Sequence, residues 1–453
     1  MRNATFSFLV LPVLLILSAG GGSCSDAAAE TKASPDTYRQ LEVFANILSL
    51  LQDNYVEKID TGKTIDGAIR GLLYSLDPHS AYLNPNDFKE LQEETEGEFS
   101  GIGIEITIKD DVISVISPIE GTPADRAGLK ANDIIVAING EKTKEMGALE
   151  AIKRLRGPKG STVTITVFRE GWKELQTFTL ERDIIPLKSV KAYFLEPGFV
   201  YSRITNFQNH TTDEYLTAIK ALAGKGPIRG LILDLRNNPG GLLNQAVSIA
   251  DAFLDDGIIV STKGRTEDQN MVFKAHKSPD DYSYPLVVLV NEGSASASEI
   301  VAGSIQDHKR GIIIGTRTFG KGSVQTIIPL PGGAGLRLTT ARYYTPAGKS
   351  IQALGIVPDV DVKFIGYGEK NTATGRQPLR EVDLKNHITG PGEKPSETKV
   401  SQPSATAPEE RDAAPDQPSE AFNPQQQLER DNQLRSALNI LKSVNLYLQN
   451  DKK

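Results

Sequence analysis

The sequence predicts an α/β protein of several domains. Three observations lead there. Between about residues 183 and 362, apolar strand-like runs alternate with helical periods. Before them, about 96–182 read as a compact unit of strands and turns, inserted ahead of the α/β core. Residues 36–95 carry an apolar period of 3.6, as helices do. At 453 residues the chain can hold two or three domains.

Residues 1–24 have the pattern of an export signal. Arg2 is the short positive region, Phe8 to Leu17 the apolar core, and Ser18 to Ser23 the small-residue exit. The apolar run is shorter than the roughly 20 residues that span a bilayer. The only cysteine, Cys24, follows it, so the exported chain holds no internal disulfide. Two readings stand: lipidation of Cys24, which would anchor the chain, or ordinary cleavage near Ala27–Ala29. Both place the protein in the periplasm or cell envelope.

In the helical segment, Leu41, Phe44, Ile47, Leu48 and Leu51 form one stripe; Ile65, Ile69, Leu72, Leu73 and Leu76 form a second. A third short helix is expected at Asp87–Glu94. The compact unit should contain strands at Gly101–Ile106, Val112–Ile116, Asp133–Ile138 and Thr162–Phe168. Helices are expected at Pro123–Leu129 and Met146–Arg156. Asn139-Gly140 is a strong hairpin signal.

The core pairs strands at Gly198–Ile204, Ile228–Leu235 and Leu286–Val290 with helices at Thr212–Leu222, Leu243–Leu254 and from Glu299 onward. Further strands fall at Gly311–Gly315 and Gly335–Arg342. Residues 363–424, rich in Pro, Glu, Ser, Gln and Ala, are expected as a disordered linker. Residues 425–450 close the chain as an amphipathic helix through Leu428, Leu434, Leu438, Leu441 and Leu448.

Net charge is −7 and the isoelectric point about 5.5, so no basic field suggests nucleic acid. No motif calls for a metal or cofactor. Gly101-Ile102-Gly103 lacks the third glycine and the βαβ context of a dinucleotide site.

Gly293-Ser294-Ala295-Ser296-Ala297-Ser298-Glu299 lies between an apolar strand and a helix. Such a turn holds a hydroxyl at a helix N-terminus, where unpaired N–H groups favour an oxyanion. Lys321 lies 25 residues after Ser296, inside Thr318-Phe319-Gly320-Lys321-Gly322, with Gln325 beyond it. Serine needs a base, and none of the five histidines sits in a motif that looks catalytic. Lysine serves if burial lowers its pKa from about 10.4. The plainer readings are a capping box, Ser296 with Glu299, and a solvated turn lysine. Ser294 and Ser298 compete with Ser296, and local pattern does not choose among them.

These motifs resemble those of the C-terminal processing (tail-specific) serine peptidases. The resemblance runs from about Tyr38 to Val362. It includes Leu76-Asp-Pro-His-Ser80, Asp234-Leu-Arg-Asn-Asn-Pro-Gly-Gly241 and Ala341-Arg-Tyr-Tyr-Thr-Pro-Ala-Gly348. It implies Ser296 as nucleophile, Lys321 as general base and Gln325 as its orienting partner. It also implies that the N–H groups of Gly241 and Ala297 bind the oxyanion. Ser100-Gly101-Ile102-Gly103-Ile104, with the segments around Pro123–Leu129 and Asp133–Gly140, resembles the carboxylate-binding loop of a PDZ domain. Gly101, Ile102, Gly103 and Ile104 would then hold a protein C-terminus. The implied protein is an exported serine endopeptidase, its peptidase core at 183–362 and its inserted PDZ domain at 96–182 able to gate the site. Its partners would be protein substrates, a helical-repeat adaptor that could touch the last helix, and a second copy in a homodimer. The competing reading is a PDZ adaptor on an inactive peptidase scaffold.

Overall fold

The computed structural model describes residues 35–109, 112–144, 146–277, 282–365, 378–391 and 423–450. The expected export signal and Cys24 lie outside these residues, as does most of the expected linker. The chain divides into two compact units, residues up to Ile65 and residues from Asp66 onward.

Helix α1 (Pro35–Asn54) carries the first apolar stripe, and Leu41, Phe44, Ile47 and Leu51 are exposed along it. Helix α2 (Thr61–Tyr74), strand β1 (Ala81–Leu83) and helix α3 (Pro85–Glu96) follow. Helix α3 starts where Asn84 accepts the N–H groups of Asn86 and Asp87, and it stops at Gly97.

The inserted unit opens on β2 (Glu98–Gly101), β3 (Ile104–Lys109), β4 (Val112–Pro118) and the short helix α4 (Pro123–Arg126). Strands β5 (Ile134–Ile138) and β6 (Glu141–Lys142) turn through Asn139 and Gly140, both at positive φ (50° and 81°). Helix α5 (Ala148–Leu155) and strands β7 (Thr162–Phe168), β8 (Gln176–Glu181) and β9 (Asp183–Pro186) complete it. The sheet order is β3-β4-β5-β7-β8, so β3 is an edge. Ile113, Val115, Ile135, Ile138, Val163, Ile165 and Val167 pack beneath α5 through Ala151 and Leu155.

The core alternates as predicted. It runs β10 (Val190–Glu196), β11 (Phe199–Ile204), α6 (Thr211–Ala223), β12 (Gly230–Asp234), α7 (Leu243–Asp251), β13 (Ile258–Gly264) and β14 (Val272–Lys274). It continues β15 (Leu286–Val290), α8 (Ala297–Asp307), β16 (Ile312–Gly315), β17 (Ser323–Pro329), β18 (Gly335–Tyr344) and β19 (Val360–Asp361). The main sheet, β10-β11-β12-β15-β16-β19, is parallel from β11 to β19. A second sheet orders β1-β18-β13-β14, with β17 also paired to β18. Side chains alternate along the main strands. Leu231, Leu233, Val288 and Val290 meet α6, α7 and α8 on one face. Ile232, Val287 and Leu289 face the other way.

That second face corrects two expectations. The C-terminal segment is two helices, α9 (Pro424–Arg430) and α10 (Asn432–Asn450), rather than one. Asp431 breaks the run because its carboxylate accepts the Leu434 N–H at 2.9 Å and so starts a new helix. Leu434, Ala437, Leu438 and Leu441 of α10 pack on the main sheet, so this apolar face is core rather than a free adaptor contact. The expected linker is also partly structured: residues 378–391 are described, and Glu381 is fully buried.

Leu434 is wholly buried against this face. Leu434→Ala should lower unfolding free energy by about 2–5 kcal/mol, read by denaturant titration. A loss under ~0.5 kcal/mol would mean that α10 does not complete the core.

Candidate active site

The site lies at the C-terminal ends of the parallel strands β12 and β15, where α/β sheets place ligands. Strand β15 leads through Asn291–Ala295 to Ser296, the residue before α8. Ser296 has φ 53° and ψ −111°, a conformation that costs a non-glycine residue about 1–2 kcal/mol. Two buried flanking serines help hold it. Ser294 Oγ donates to the Leu235 carbonyl at 2.7 Å, and Ser298 Oγ donates to the Asn238 carbonyl at 3.0 Å. Both competing hydroxyls are therefore spent on the β12 turn. Ser296 is half-buried, and its hydroxyl makes no capping hydrogen bond.

The capping-box reading is partly realised, and it does more than cap. Glu299 is fully buried, and its carboxylate accepts the Ser296 N–H at 2.8 Å. The same carboxylate accepts the Thr318 hydroxyl, the Gly320 N–H at 2.8 Å and the Lys321 N–H at 2.9 Å. A single oxygen, Oε2, takes the N–H of Ser296 and of Lys321, so the two residues' backbones meet there. Burial outweighs these donors and pushes the Glu299 carboxyl up to about 7.

Lys321 is not a solvated turn lysine. Burial lowers its pKa below the ordinary 10.5, and the Arg337 charge adds to this; Glu381, Glu299 and Asp77 pull the other way. Its amine has no hydrogen-bond partner among the described residues. Gln325 lies on β17. Its Nε2 donates to Thr339 Oγ1 at 2.8 Å, while its Oε1 is buried without a partner. An acceptor is thus left over for an amine.

The turn after β12, Arg236–Gly241, closes over Ser296. A Cβ added at Gly240 would sit 2.9 Å from Ser296 Cβ and 2.9 Å from Ala297 N, with φ at +106°. Only glycine allows that approach. The Gly240 N–H is taken by Asn238 Oδ1 at 2.9 Å. The N–H groups of Gly241 and Ala297 have no partner among the described residues, so each turn leaves one donor free. Arg236 fixes the start of this turn. It pairs with Asp234 at 2.6 Å and Asp431 at 2.7 Å, tying the turn to α10.

In the inserted unit, Gly101-Ile102-Gly103 joins β2 to β3. The Ile102 carbonyl accepts the Ala124 N–H at 2.9 Å, and the Gly103 carbonyl accepts the Ile119 N–H at 2.9 Å. The N–H groups of Ile102 and Gly103 are left unpaired among the described residues. A Cβ at Gly103, φ +77°, would fall 2.3 Å from the Thr122 side chain. Ile104 and Ile106, half-buried, line the edge strand β3 beside α5. An edge strand beside a helix, with free N–H groups at its start, is an arrangement that can pair with an extended peptide. These four residues lie on a separate element from Ser296, Lys321 and Gln325.

Sequence reasoning missed Glu299 as a clamp, because its spacing already had a local explanation. It also missed His79 and Glu381, whose side chains meet at 2.8 Å. Of the other histidines, His308 is held by the Ile258 carbonyl at 2.7 Å. No group of metal ligands occurs among the described residues.

Comparison with known proteins places these features in context. Residues 198–362 match the model of peptidase family S41, 90–168 that of the PDZ domain, and 18–87 that of the activating protease CtpB N-terminal domain. A carboxy-terminal-processing protease of Bartonella bacilliformis is 45% identical over 369 residues, 80% of this chain and 83% of the relative. The carboxy-terminal processing protease CtpB of Bacillus subtilis is 34% identical, covering 80% and 76%. Among solved structures, the photosystem II D1 C-terminal processing protease is 32% identical, covering 73% of this chain and 94% of its own, with TM-score 0.42.

The raised Glu299 carboxyl has a consequence for stability. Its folded pKa, about 7, lies above its ordinary 4.5. Between those values the folded chain binds more protons than the unfolded one, so this group's contribution falls as pH rises. Glu299→Gln should flatten the loss of stability across that window, read by denaturant titration at several pH values. An unchanged slope would mean that Glu299 is ionised throughout.

Proposed function

Because the chain belongs to the carboxy-terminal processing proteases of peptidase family S41, we propose that it is an exported serine endopeptidase in which Lys321 activates Ser296. The observation that carries this is the Glu299 carboxylate oxygen, which binds the backbones of both residues. Neutral Lys321 Nζ takes the Ser296 Oγ proton, and Oγ attacks the peptide carbonyl. The N–H groups of Gly241 and Ala297 bind the oxyanion, each donor contributing about 3–4 kcal/mol. The Lys321 ammonium then protonates the leaving amine. Water attacks the acyl-enzyme, giving a proton to Lys321, which passes it to Ser296 Oγ as the ester C–O bond breaks and the new carboxyl end leaves. Gln325 Oε1 accepts a hydrogen bond from the amine and aims it.

The PDZ domain supplies the substrate. Its groove at Gly101, Ile102, Gly103 and Ile104 takes a protein C-terminus: N–H groups on the carboxylate, apolar Ile102 and Ile104 beside the last side chain. The work takes place in the periplasm or cell envelope, with Cys24 as the lipid anchor if it is modified. No described helix is long and apolar enough to cross a membrane. A second copy, or a helical-repeat adaptor, has the exposed stripe of α1 as its contact.

The test is hydrolysis of an unstructured peptide ending in an apolar residue. Ser296→Ala should abolish cleavage, and Lys321→Ala should lower kcat by at least ~100-fold. The base must be neutral, so kcat/KM should rise with pH through the Lys321 pKa, which lies below 10.5. Amidating the substrate's C-terminus should raise KM. Cleavage by Ser296→Ala protein would remove the nucleophile assignment.

A further inference from the structure

We propose that residues 378–391 are a working part of the cleavage site, in which Glu381 is a positioning residue that holds a negative charge and a rigid turn against Lys321. The proposal rests on Lys321 being the base and names what regulates it.

The segment's chemistry points there. Glu381 is the only fully buried residue among 378–391, in a stretch of linker-like composition. A buried carboxylate is costly unless paired and hydrogen-bonded, and an apolar side chain would plug the same space more easily. Its carbonyl accepts the Leu384 N–H at 3.0 Å within the segment, and its N–H and carboxylate bonds lead to the site. The Glu381 N–H donates to the Phe319 carbonyl at 3.2 Å. Its carboxylate accepts Gln352 Nε2 at 2.9 Å, and Gln352 Oε1 in turn accepts the Gly322 N–H at 3.0 Å. Glu381 therefore grips the lysine turn on both sides, at residues 319 and 322.

A second branch reaches Gln325. Glu381 faces His79 Nε2 at 2.8 and 2.9 Å. The neighbouring Ser80 Oγ accepts the Thr339 N–H at 3.1 Å, and Thr339 Oγ1 accepts Gln325 Nε2 at 2.8 Å. One hydrogen bond of the Gln325 Nε2, the one to Thr339, is thus linked to the segment, and Gln325 Oε1 is left for the amine.

The charges facing Lys321 come from four elements. Arg337 on β18 disfavours the ammonium. Glu381 on the segment, Glu299 on α8 and Asp77 in the turn before β1 favour it, and His79 stands beside Glu381. Without Glu381, Arg337 is less opposed and the amine loses its proton more easily. The segment thereby tunes the pH at which the enzyme becomes active.

The test measures kcat/KM against pH on a peptide with a free apolar C-terminus. It uses full-length wild type, Glu381→Gln, Glu381→Asp and Lys321→Ala. In Glu381→Gln the midpoint of the rising limb should move to lower pH by roughly one unit, the usual scale for losing one nearby charge. Glu381→Asp keeps the charge but not the reach, so its midpoint should stay and its plateau fall several-fold. An unmoved midpoint in Glu381→Gln would overturn the proposal. If that variant does not fold, a wild-type midpoint and plateau in Glu381→Asp would overturn it instead. Full activity in Lys321→Ala would sink the reading of the base itself, a separate outcome.

Discussion

The Glu299 carboxylate is the interaction on which the rest of the site depends. It is fully buried, and four donors converge on it from two loops that are separate in sequence. Such hydrogen bonds contribute about 0.5–1.5 kcal/mol each, and four together offset the strain at Ser296. Besides this carboxylate, the serine turn and the lysine turn share the bond from the Phe319 N–H to the Ser294 carbonyl at 3.1 Å. The helix start that favours an oxyanion is therefore also the point where the backbones of Ser296 and Lys321 meet.

The frame around this clamp explains its rigidity. Buried strands β12 and β15 end side by side in the sheet, so the turns after them meet. Ser294 and Ser298 stitch those turns together through the Leu235 and Asn238 carbonyls. Arg236 carries the connection to α10 through Asp431. Breaking such a buried pair costs about 3–5 kcal/mol, so the C-terminal helix is coupled to the turn that lies over Ser296.

Much of this was legible in the sequence, for physical reasons that differ by element. The core strands are apolar on both faces, which only a covered parallel sheet explains, so their alternation with helices was readable. Asn139-Gly140 announced its hairpin because both residues accept positive φ. The choice among Ser294, Ser296 and Ser298 was not local: the resemblance pointed to Ser296, and in the fold Ser294 and Ser298 bond to the β12 turn. Glu299 was hidden by a satisfactory local role as a cap. Glu381 was hidden by its surroundings, since a linker-like composition says nothing of one buried carboxylate. The break at Asp431 was missed because the leucine period continues across it.

The proposed chemistry turns on Ser296 and Lys321 acting as one reacting pair. The most direct measurement is covalent labelling by a small serine-directed organophosphonate, with the modified residue identified by peptide mass. A single label on Ser296 is expected in the wild type, with labelling slowed at least ~100-fold in Lys321→Met protein. A label on another serine, or equal labelling of Ser296 in the variant, would contradict it.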